Sequence, residues 1–287
     1  MSFGAGASTV QRFAFAGRTC LITGAASGIG AALALNLAKR RAVLALLDRD
    51  ADGLARVAEL ARELGAADVS TYVVDLADGG DRLDLAAEVA ARHGGVDLLV
   101  NNAGVALSGT FEQVSMADFD WLLEINLHAV IRTTKAFLPQ LLSRPGSHVV
   151  TISSLFGLIA PPSQVAYVTS KYGVRGFTEA LRHELAGRNV GVTVVHPGGI
   201  RTNIAANARI SGPDPGGEQV ARARAFAEAA LRMPPEEAAR LIVAAVQARK
   251  PRLVVTRAAK AADLLARLMP ARYWQVAARA AGVRGVH

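Results

Sequence analysis

The sequence has a single cysteine and no long apolar segment. Cys20 has no second cysteine with which to form an internal disulfide, which is typical of a reducing compartment, and the run TCLIT around it indicates a small buried side chain. The longest apolar runs, such as AVLALL at 42–47, fall short of the roughly 18 residues that indicate a membrane span. The first residues, MSFGAGASTVQRFAF, lack the pattern of a secretory signal. These absences predict a cytoplasmic protein.

Acidic and basic side chains balance over most of the chain. The formal net charge is +8, but the stretch from Arg249 to the end holds nine lysine or arginine residues and one acid, Asp263. The preceding 248 residues hold 23 bases and 23 acids. A neutral body lacks the basic surface that binds a polyanion, so no nucleic acid partner is expected. The six histidines show no metal-ligand spacing, so no metal site is expected.

Short apolar runs alternate with longer helical patterns. RTCLIT, AVLALLD, VSTYVVD and VDLLVNN have the composition of buried strands, and patterns such as SGIGAALALNLAKR and DADGLARVAELARELG separate them. This alternation predicts an α/β fold, a doubly wound parallel sheet of six or seven strands with helices on both faces. Without an internal repeat or a Pro/Ser-rich linker, the chain is expected to form a single domain, 1–287.

Two later segments depart from this alternation. Residues 199–235 contain the run NARISGPDPGGEQ, and a long insertion of this kind after a strand is expected to act as a substrate loop or lid. Residues 257–287 are predicted to form a basic helical tail, whose apolar side chains can be interpreted in two ways. Packing on the body or on another subunit is favoured, and contact with a membrane surface is the alternative. In that alternative four side chains face lipid: Leu264, Leu265, Leu268 and Trp274.

The first predicted strand ends in TGAASGIG, directly before a helical pattern. Gly24 can form a tight turn, while Gly28 and Gly30 let the backbone approach a pyrophosphate and the helix approach the sheet. The helix N-terminus, with Ser27 and Ile29, favours negative phosphate groups. The spacing Gly-x-x-x-Gly-x-Gly differs from the common Gly-x-Gly-x-x-Gly, so the position between strand and helix carries the prediction of a dinucleotide site.

Polar residues follow the next predicted strands. At the end of the second, Asp48 can accept hydrogen bonds from the adenosine ribose and repel a 2′-phosphate, which favours NAD. Arg49 could compensate a 2′-phosphate, which leaves NADP as the alternative. Ligands bind outside the carboxyl ends of parallel strands, so the residues after the third and fourth strands are expected to contact the cofactor. They are Asp75, Leu76, Asn102, Ala103 and Gly104.

In this order, the motifs resemble those of the classical short-chain dehydrogenases/reductases. TGAASGIG is similar to the cofactor turn of that family, NNAG to its fourth-strand motif, and ISS followed by YVTSK to its catalytic motifs. The likeness runs from about Arg18 to about Thr256. It implies a Rossmann-like fold and an NAD(P)-dependent oxidoreductase without a metal. It also implies a homodimer or homotetramer packed through helices near 126–142 and 166–186.

The resemblance assigns roles to particular residues. Its catalytic set falls on four of them: Asn126, Ser154, Tyr167 and Lys171. Ser153 is the alternative to Ser154, and Ala129 stands where the family usually has a glycine, three residues after the asparagine. HPGGIRT is similar to the stretch before the family's substrate loop. It implies further cofactor contacts: Pro197, Gly198, Ile200 and Thr202.

Hydride transfer to or from an alcohol carbon explains why these side chains are needed. An alcohol releases hydride only if its hydroxyl gives up a proton, so a base has to lie within hydrogen-bond reach. A free tyrosine has a pKa of about 10, and bringing it near neutrality requires about 4 kcal/mol. Lys171 lies one helical turn from Tyr167, and its positive charge favours the phenolate form of the tyrosine. The positive charge of oxidised nicotinamide acts in the same direction. Ser154 can hold the substrate oxygen, and Asn126 can position a water linked to Lys171.

Apolar residues around the predicted site indicate the substrate. We expect an apolar secondary alcohol or its ketone, bound beside Ser154 and the start of the 199–235 loop. The apolar residues are Leu155, Phe156, Leu158, Ile159, Pro161, Pro162, Ile200 and Ile204.

Tyr172 is a rival phenol, but adjacent helical residues lie about 100° apart, so it should face away. A non-catalytic nucleotide-binding protein of the same fold is the alternative function, which the complete proton-transfer set disfavours.

Overall fold

The structure, a computed structural model, describes residues 12–80, 82–204, 207–211 and 231–280. Parts of the expected lid, residues 205–206 and 212–230, lie outside the described residues, as do residues 281–287 of the expected tail.

Seven parallel strands form one sheet, which confirms the predicted α/β architecture. Their order across the sheet is β3-β2-β1-β4-β6-β7-β9. They are β1 (Thr19–Thr23), β2 (Val43–Asp48), β3 (Asp68–Val73), β4 (Leu98–Asn101), β6 (His148–Ile152), β7 (Gly191–His196) and β9 (Arg252–Val254). Two short strands, β5 (Leu107–Ser108) and β8 (Arg209–Ile210), pair in parallel as a second small sheet.

Helices connect the strands and cover both faces of the sheet. In chain order they are α1 (Gly28–Ala38), α2 (Ala51–Glu63), α3 (Leu83–His93), α4 (Met116–Leu123), α5 (Ala129–Ser143), α6 (Val165–Glu184), α7 (Pro235–Gln247), α8 (Arg257–Leu268) and α9 (Tyr273–Ala280). A π-helical segment, Glu124–His128, joins α4 to α5, and 3-10 turns occur at Leu76–Asp78 and Leu155–Gly157. None of the helices in the described ranges is long and apolar enough to cross a membrane.

The inner strands are largely apolar because both of their faces are buried. Within β1, Ile22 packs into a core with α1, α2 and α7, whereas its neighbour Leu21 packs into a second core with α3, α5 and α6. Val150 and Val149 of β6 divide between the same two cores. Successive side chains of a strand point to opposite faces, so a sheet covered on both sides requires a continuous apolar run.

One buried carboxylate ties elements together at the amino end of β4. Asp97 is fully buried and accepts hydrogen bonds from the guanidinium groups of Arg18, at 2.6 Å, and Arg144, at 2.9 and 3.0 Å. The backbone N–H of Thr19 donates to it at 2.9 Å. A buried charge needs partners of this kind. This cluster lies at the edge opposite the carboxyl ends of the strands, where ligands bind in such sheets.

The last two described helices pack against the body through small and polar side chains. Ala259 of α8 is fully buried, and a Cβ atom on Gly198 would lie 2.9 Å from its methyl group. Arg252 of β9 donates to both carboxylate oxygens of Asp263, at 2.8 and 3.0 Å. The tail thus contacts the body through Ala259 and Asp263. However, 57% of Leu264 and 72% of Leu268 are exposed, so this packing does not cover the two leucines.

Candidate active site

The glycine turn after β1 brings three elements into close contact. Gly24 and Gly28 have positive φ angles of 67° and 55°, which favour glycine. A Cβ atom on Gly24 would lie 2.8 Å from the Cα atom of Ala103, and one on Gly30 would overlap the carbonyl oxygen of Gly24. The missing side chains therefore allow β1, α1 and the segment after β4 to meet.

The N-terminus of α1 fits a phosphate group. Ser27 begins the helix without a side-chain capping hydrogen bond, and the first turn contains no acidic residue. The N–H groups of Gly28, Ile29 and Gly30 therefore remain as donors with the positive end of the helix dipole behind them. Thr202 lies beside this turn, with its methyl carbon 3.3 Å from the Cβ position of Gly28.

Asp48 supports the turn and stands at the edge where a ribose would bind. One carboxylate oxygen accepts from the N–H of Ala26 at 3.0 Å, and the other accepts from the N–H of Asp50 at 3.1 Å. Each oxygen can accept a further hydrogen bond, so both remain suitable for a ribose diol. Arg49 is exposed.

Asn102 has a structural role that the sequence did not indicate. Its side-chain amide donates to the carbonyl oxygens of Thr23 and Gly24, at 2.9 and 3.2 Å. The hydroxyl of Thr23 accepts from the N–H groups of Asn102 and Ala103, at 2.9 and 3.0 Å. The role of Thr23 was missed, although a short polar residue immediately before the first glycine was a signal for it. Asn102 and Thr23 together clamp the glycine turn to the end of β4.

The third strand end and the stretch after β7 lie along the same sheet edge. Asp75 follows β3 and accepts from the N–H of Ala77 at 2.9 Å, and Leu76 is buried beside it. Pro197 accepts a hydrogen bond from the N–H of Leu155 at 2.7 Å, which ties the end of β7 to the segment that follows Ser154. Gly198 and Ile200 follow in the chain, and Ile200 is buried.

Tyr167 and Lys171 lie one turn apart on α6. The ammonium nitrogen of Lys171 is 5.6 Å from the centroid of the Tyr167 ring, and it donates to the carbonyl oxygen of Ile152 at 3.1 Å. Lys171 is buried, whereas Tyr167 is half-buried. The structure thus brings the phenol and the ammonium together at the carboxyl end of β6.

The two serines after β6 have different partners. Ser153 is buried and donates to the carbonyl oxygen of Lys171 at 2.9 Å, so its hydroxyl is used within the fold. Ser154 accepts from the N–H of Phe156 at 3.1 Å, and its hydroxyl lies near enough to the phenol of Tyr167 to lower the pKa of that group. Of the two serines, Ser154 is the one whose hydroxyl adjoins the phenol.

Asn126 lies in the π-helical segment and is fully buried. Its amide oxygen accepts from the N–H of Val105 at 2.8 Å, and its amide nitrogen donates to the carbonyl oxygen of Val105 and the hydroxyl of Ser170, at 2.9 and 3.2 Å. A Cβ atom on Gly104 would lie 3.2 Å from that amide oxygen and 3.3 Å from the Lys171 nitrogen. Asn126 and Lys171 thus both lie beside Gly104, and the predicted water between them stays a prediction.

Burial acts on the ionisable groups of this site. It raises the pKa of Tyr167, although the nearby hydroxyl of Ser154 opposes the increase. Burial also lowers the pKa of Lys171 to about 8. The expectation from sequence was a lowered tyrosine pKa, but the protein's own groups raise it, because desolvation outweighs the nearby hydroxyl.

Apolar and aromatic side chains adjoin this cluster. The ring of Phe156 meets that of Tyr167 edge to face, with centroids 6.1 Å apart, and Leu158 and Ile159 are buried. Tyr172 is 38% exposed, and its orientation away from the cluster stays a prediction.

Comparisons with known proteins agree with this geometry. The family model described as "short chain dehydrogenase" matches residues 18–211. The Mycobacterium tuberculosis protein SadH, named as an oxidoreductase, is 45% identical over 266 residues, which cover 92% of this chain and 95% of SadH.

Solved structures are similar over nearly the whole chain. A short-chain dehydrogenase/reductase from Burkholderia phymatum in complex with NAD has a TM-score of 0.83 and 30% identity, covering 90% of this chain and 95% of that one. A metagenomic short-chain oxidoreductase in complex with NADP has a TM-score of 0.69 and 28% identity, covering 85% and 98%. With its sheet order and glycine turn, this chain belongs to the short-chain dehydrogenase/reductase family and is an NAD(P)-dependent oxidoreductase.

Proposed function

We propose that the protein transfers a hydride between NAD and an apolar secondary alcohol or its ketone, with Tyr167 as the general acid and base. One observation carries this proposal. The hydroxyl of Ser154, the phenol of Tyr167 and the ammonium of Lys171 converge at the carboxyl end of β6. The glycine turn lies at the same edge of the sheet.

Tyr167 moves the proton. In ketone reduction its hydroxyl donates a proton to the carbonyl oxygen, which becomes the alcohol oxygen. In alcohol oxidation the phenolate accepts that proton back. Ser154 hydrogen-bonds the same substrate oxygen and so holds it within reach of the phenol.

Lys171 acts on Tyr167 through its charge. Its ammonium stabilises the phenolate that remains after proton donation, because the two groups carry opposite charges in a site removed from water. Its contact with the carbonyl oxygen of Ile152 fixes the ammonium in place. One of its other hydrogens can meet a water positioned by Asn126, which would connect the phenol to solvent.

The residues at the sheet edge suit a nicotinamide dinucleotide. When bound, this group supplies or accepts the hydride. The N-terminus of α1 would hold the pyrophosphate, and Asp48 the adenosine ribose. Asp75 and Leu76 would flank the adenine. The remaining contacts that we propose are made by Asn102, Ala103, Gly104, Pro197, Gly198, Ile200 and Thr202.

The side chains near Tyr167 support an apolar substrate. The ring of Phe156 meets the tyrosine ring edge to face, and Ile200 and Thr202 lie at the start of the 199–235 segment that we propose closes over the substrate. We further propose a cytoplasmic homodimer or homotetramer packed through α5 and α6. Ile131 of α5 and Val165 of α6 are exposed in the single chain, at 37% and 41%, which supports such an interface.

A substrate panel tests this function directly. Reduction and oxidation are followed by nicotinamide absorbance on secondary alcohols and ketones of increasing apolar size, with NAD and NADP in parallel. We expect kcat/KM to rise with apolar size and to be higher with NAD. Equal kcat/KM for small polar and large apolar substrates would reject the proposed substrate class, and activity with neither cofactor would reject the proposed reaction.

A further inference from the structure

Helix α8 presents an apolar face to solvent, although its other face is packed on the body. Ala259 and Asp263 lie on the packed face, against Gly198 and Arg252. Leu264 and Leu268, one turn apart, lie on the opposite face and are 57% and 72% exposed. The membrane interpretation placed four side chains toward lipid. Of these, Leu264 and Leu268 are exposed, whereas Leu265 and Trp274 are half-buried.

Basic side chains surround these leucines. Lys260 lies four residues before Leu264 and Arg267 three residues after it, so both share its face of the helix. Arg257, at the start of α8, is also exposed. Asp263 is the one acid in residues 257–287; Arg252 pairs with both of its oxygens, and Arg267 lies 3.3 Å from one of them. Basic side chains therefore rim the apolar face, and the one acid of α8, Asp263, is paired with Arg252 and Arg267.

We propose that this face, Leu264 and Leu268 with Arg257, Lys260 and Arg267, docks the protein onto an anionic membrane surface. Leucine side chains enter the boundary between headgroups and acyl chains, while lysine and arginine bind the lipid phosphates. The docking is peripheral and reversible. It depends on neither the proposed substrate nor the proposed direction of the reaction.

Charge distinguishes a membrane from a second copy of the chain. In a symmetric dimer through this face, each copy would bring Lys260 and Arg267 toward the same residues of its partner. Like charges in an interface oppose association, and lysine is depleted from interface cores. Anionic headgroups instead match the basic rim, and each lysine or arginine near such a surface strengthens binding about fivefold.

The position of the face relates docking to the proposed site. The hydroxyl of Tyr273, at the start of α9, accepts a hydrogen bond from the N–H of Ala160 at 2.7 Å. Ala160 lies six residues after Ser154 in the chain. Helix α9, which directly follows the docking helix α8, therefore contacts the segment that follows Ser154.

Vesicle co-sedimentation of the full chain tests the proposal. The vesicles are made of phosphatidylcholine alone or of equal parts phosphatidylcholine and phosphatidylserine. We expect binding to the mixed vesicles, weak binding to phosphatidylcholine alone, and a decrease as salt is added. The double variant Leu264→Ser/Leu268→Ser should bind the mixed vesicles about tenfold or more weakly, because the leucines no longer enter the lipid. Lys260→Gln should bind about fivefold more weakly.

Matched substitutions on other helices control for general effects. Leu60 and Leu64 are also exposed leucines four residues apart, at 46% and 39%, so Leu60→Ser/Leu64→Ser should bind as the unchanged protein does. Lys39→Gln, at an exposed lysine after α1, controls for net charge. No binding to mixed vesicles, or equal binding by the two leucine pairs, would overturn the proposal. So would a leucine variant that dissociates an oligomer in light scattering while binding vesicles normally, which would identify a subunit interface.

Discussion

Tyr167 and Lys171 respond to burial in complementary ways. Burial favours the neutral form of each side chain. It raises the pKa of Tyr167, so the phenol is protonated at neutral pH, and it lowers that of Lys171 to about 8, so the ammonium is charged below that pH. A protonated phenol beside a charged ammonium is the pair needed to donate a proton to a ketone oxygen.

The pH dependence of ketone reduction follows from these two groups. Lys171 loses its charge as the pH rises through about 8, and the phenolate that is left after proton donation is then no longer stabilised. We expect kcat/KM for reduction to be steady below that pH and to fall above it. The measurement is a pH profile at saturating NADH, and a profile that stays flat or rises through pH 8 would contradict this role for Lys171.

Asp48 is the residue on which cofactor choice depends in this account. Asp48→Asn keeps the shape of the side chain but removes the charge that repels a 2′-phosphate. We expect the ratio of kcat/KM for NAD over NADP to fall about tenfold. An unchanged ratio would show that the ribose contact is made elsewhere. Urea unfolding of the variant reports separately on the hydrogen bonds to Ala26 and Asp50, which support the turn.

The residues of the site could be predicted because their spacing has chemical meaning. Tyr167 and Lys171 share a helix face, and Gly24 precedes a helix, so local geometry relates them to a function. The contacts of Asn102 and Thr23 could not be predicted in this way. Their hydrogen bonds cross between β1 and β4, and sequence periodicity contains no record of such long-range pairs.

At the level of elements, a small latch holds the start of the 199–235 segment. β8 pairs with β5, and Asp118 of α4 accepts hydrogen bonds from Arg209 and Ser211 at 3.0 and 2.9 Å. The Arg209 guanidinium lies 3.6 Å from the centroid of the Trp121 ring. These contacts position the described part of the segment against α4.

Arg209→Ala tests whether this latch serves substrate binding. The variant loses a partly exposed ion pair and a cation–π contact, together worth about 1 kcal/mol. We therefore expect the KM for the substrate to rise about fivefold, with the Kd for NAD unchanged. Arg92→Ala, which removes the exposed ion pair with Asp68, is the matched control. An equal effect of both substitutions on KM would contradict a specific role for the latch.

Hydrophobic patterning predicted the long strands and helices, but it did not predict the short strands β5 and β8 or the π-helical segment. The inner strands are buried on both faces and have apolar runs, which alternation with helices identifies. β5 and β8 have two residues each, too few to show a period, and they pair across about 100 positions of the chain. The π-helical segment around Asn126 also has no distinctive pattern, because one extra residue in a turn leaves the composition of the helix unchanged.

For the whole molecule, the Asp97 cluster joins β1, β4 and the end of α5. Burial raises the pKa of Asp97, but hydrogen bonds from Arg144, Arg18 and the N–H of Thr19 outweigh it and hold the pKa below its ordinary value. A carboxylate with a lowered pKa stabilises the fold fully above its unfolded-state pKa of about 4. That contribution disappears as the pH falls through the lowered value.

Asp97→Asn should therefore lower stability without altering the site. Removing one member of a buried charge cluster costs about 3 kcal/mol. We expect the free energy of unfolding in urea to fall by about this amount at neutral pH. The difference from the unchanged protein should shrink as the pH drops below about 4. Equal stability at neutral pH, or a difference that grows in acid, would contradict this account of the cluster.

The arrangement of the C-terminal tail could be predicted only in part from the sequence. Its alternating small, apolar and basic residues predicted a helix that packs on the body. Ala259 and Asp263 do so. The sequence did not indicate that this packing would leave Leu264 and Leu268 outward, because which face of α8 is buried depends on the positions of Gly198 and Arg252.

Replacing Tyr167 by phenylalanine tests the central claim most directly. The variant keeps the ring and its contact with Phe156 but has no hydroxyl to donate. Turnover and NADH binding are measured for Tyr167→Phe, with Tyr172→Phe as the control for loss of a neighbouring phenol. We predict that Tyr167→Phe loses about a thousandfold in kcat while binding NADH nearly normally, and that Tyr172→Phe stays active. Retention of more than about a tenth of normal turnover by Tyr167→Phe would contradict its role as the proton donor.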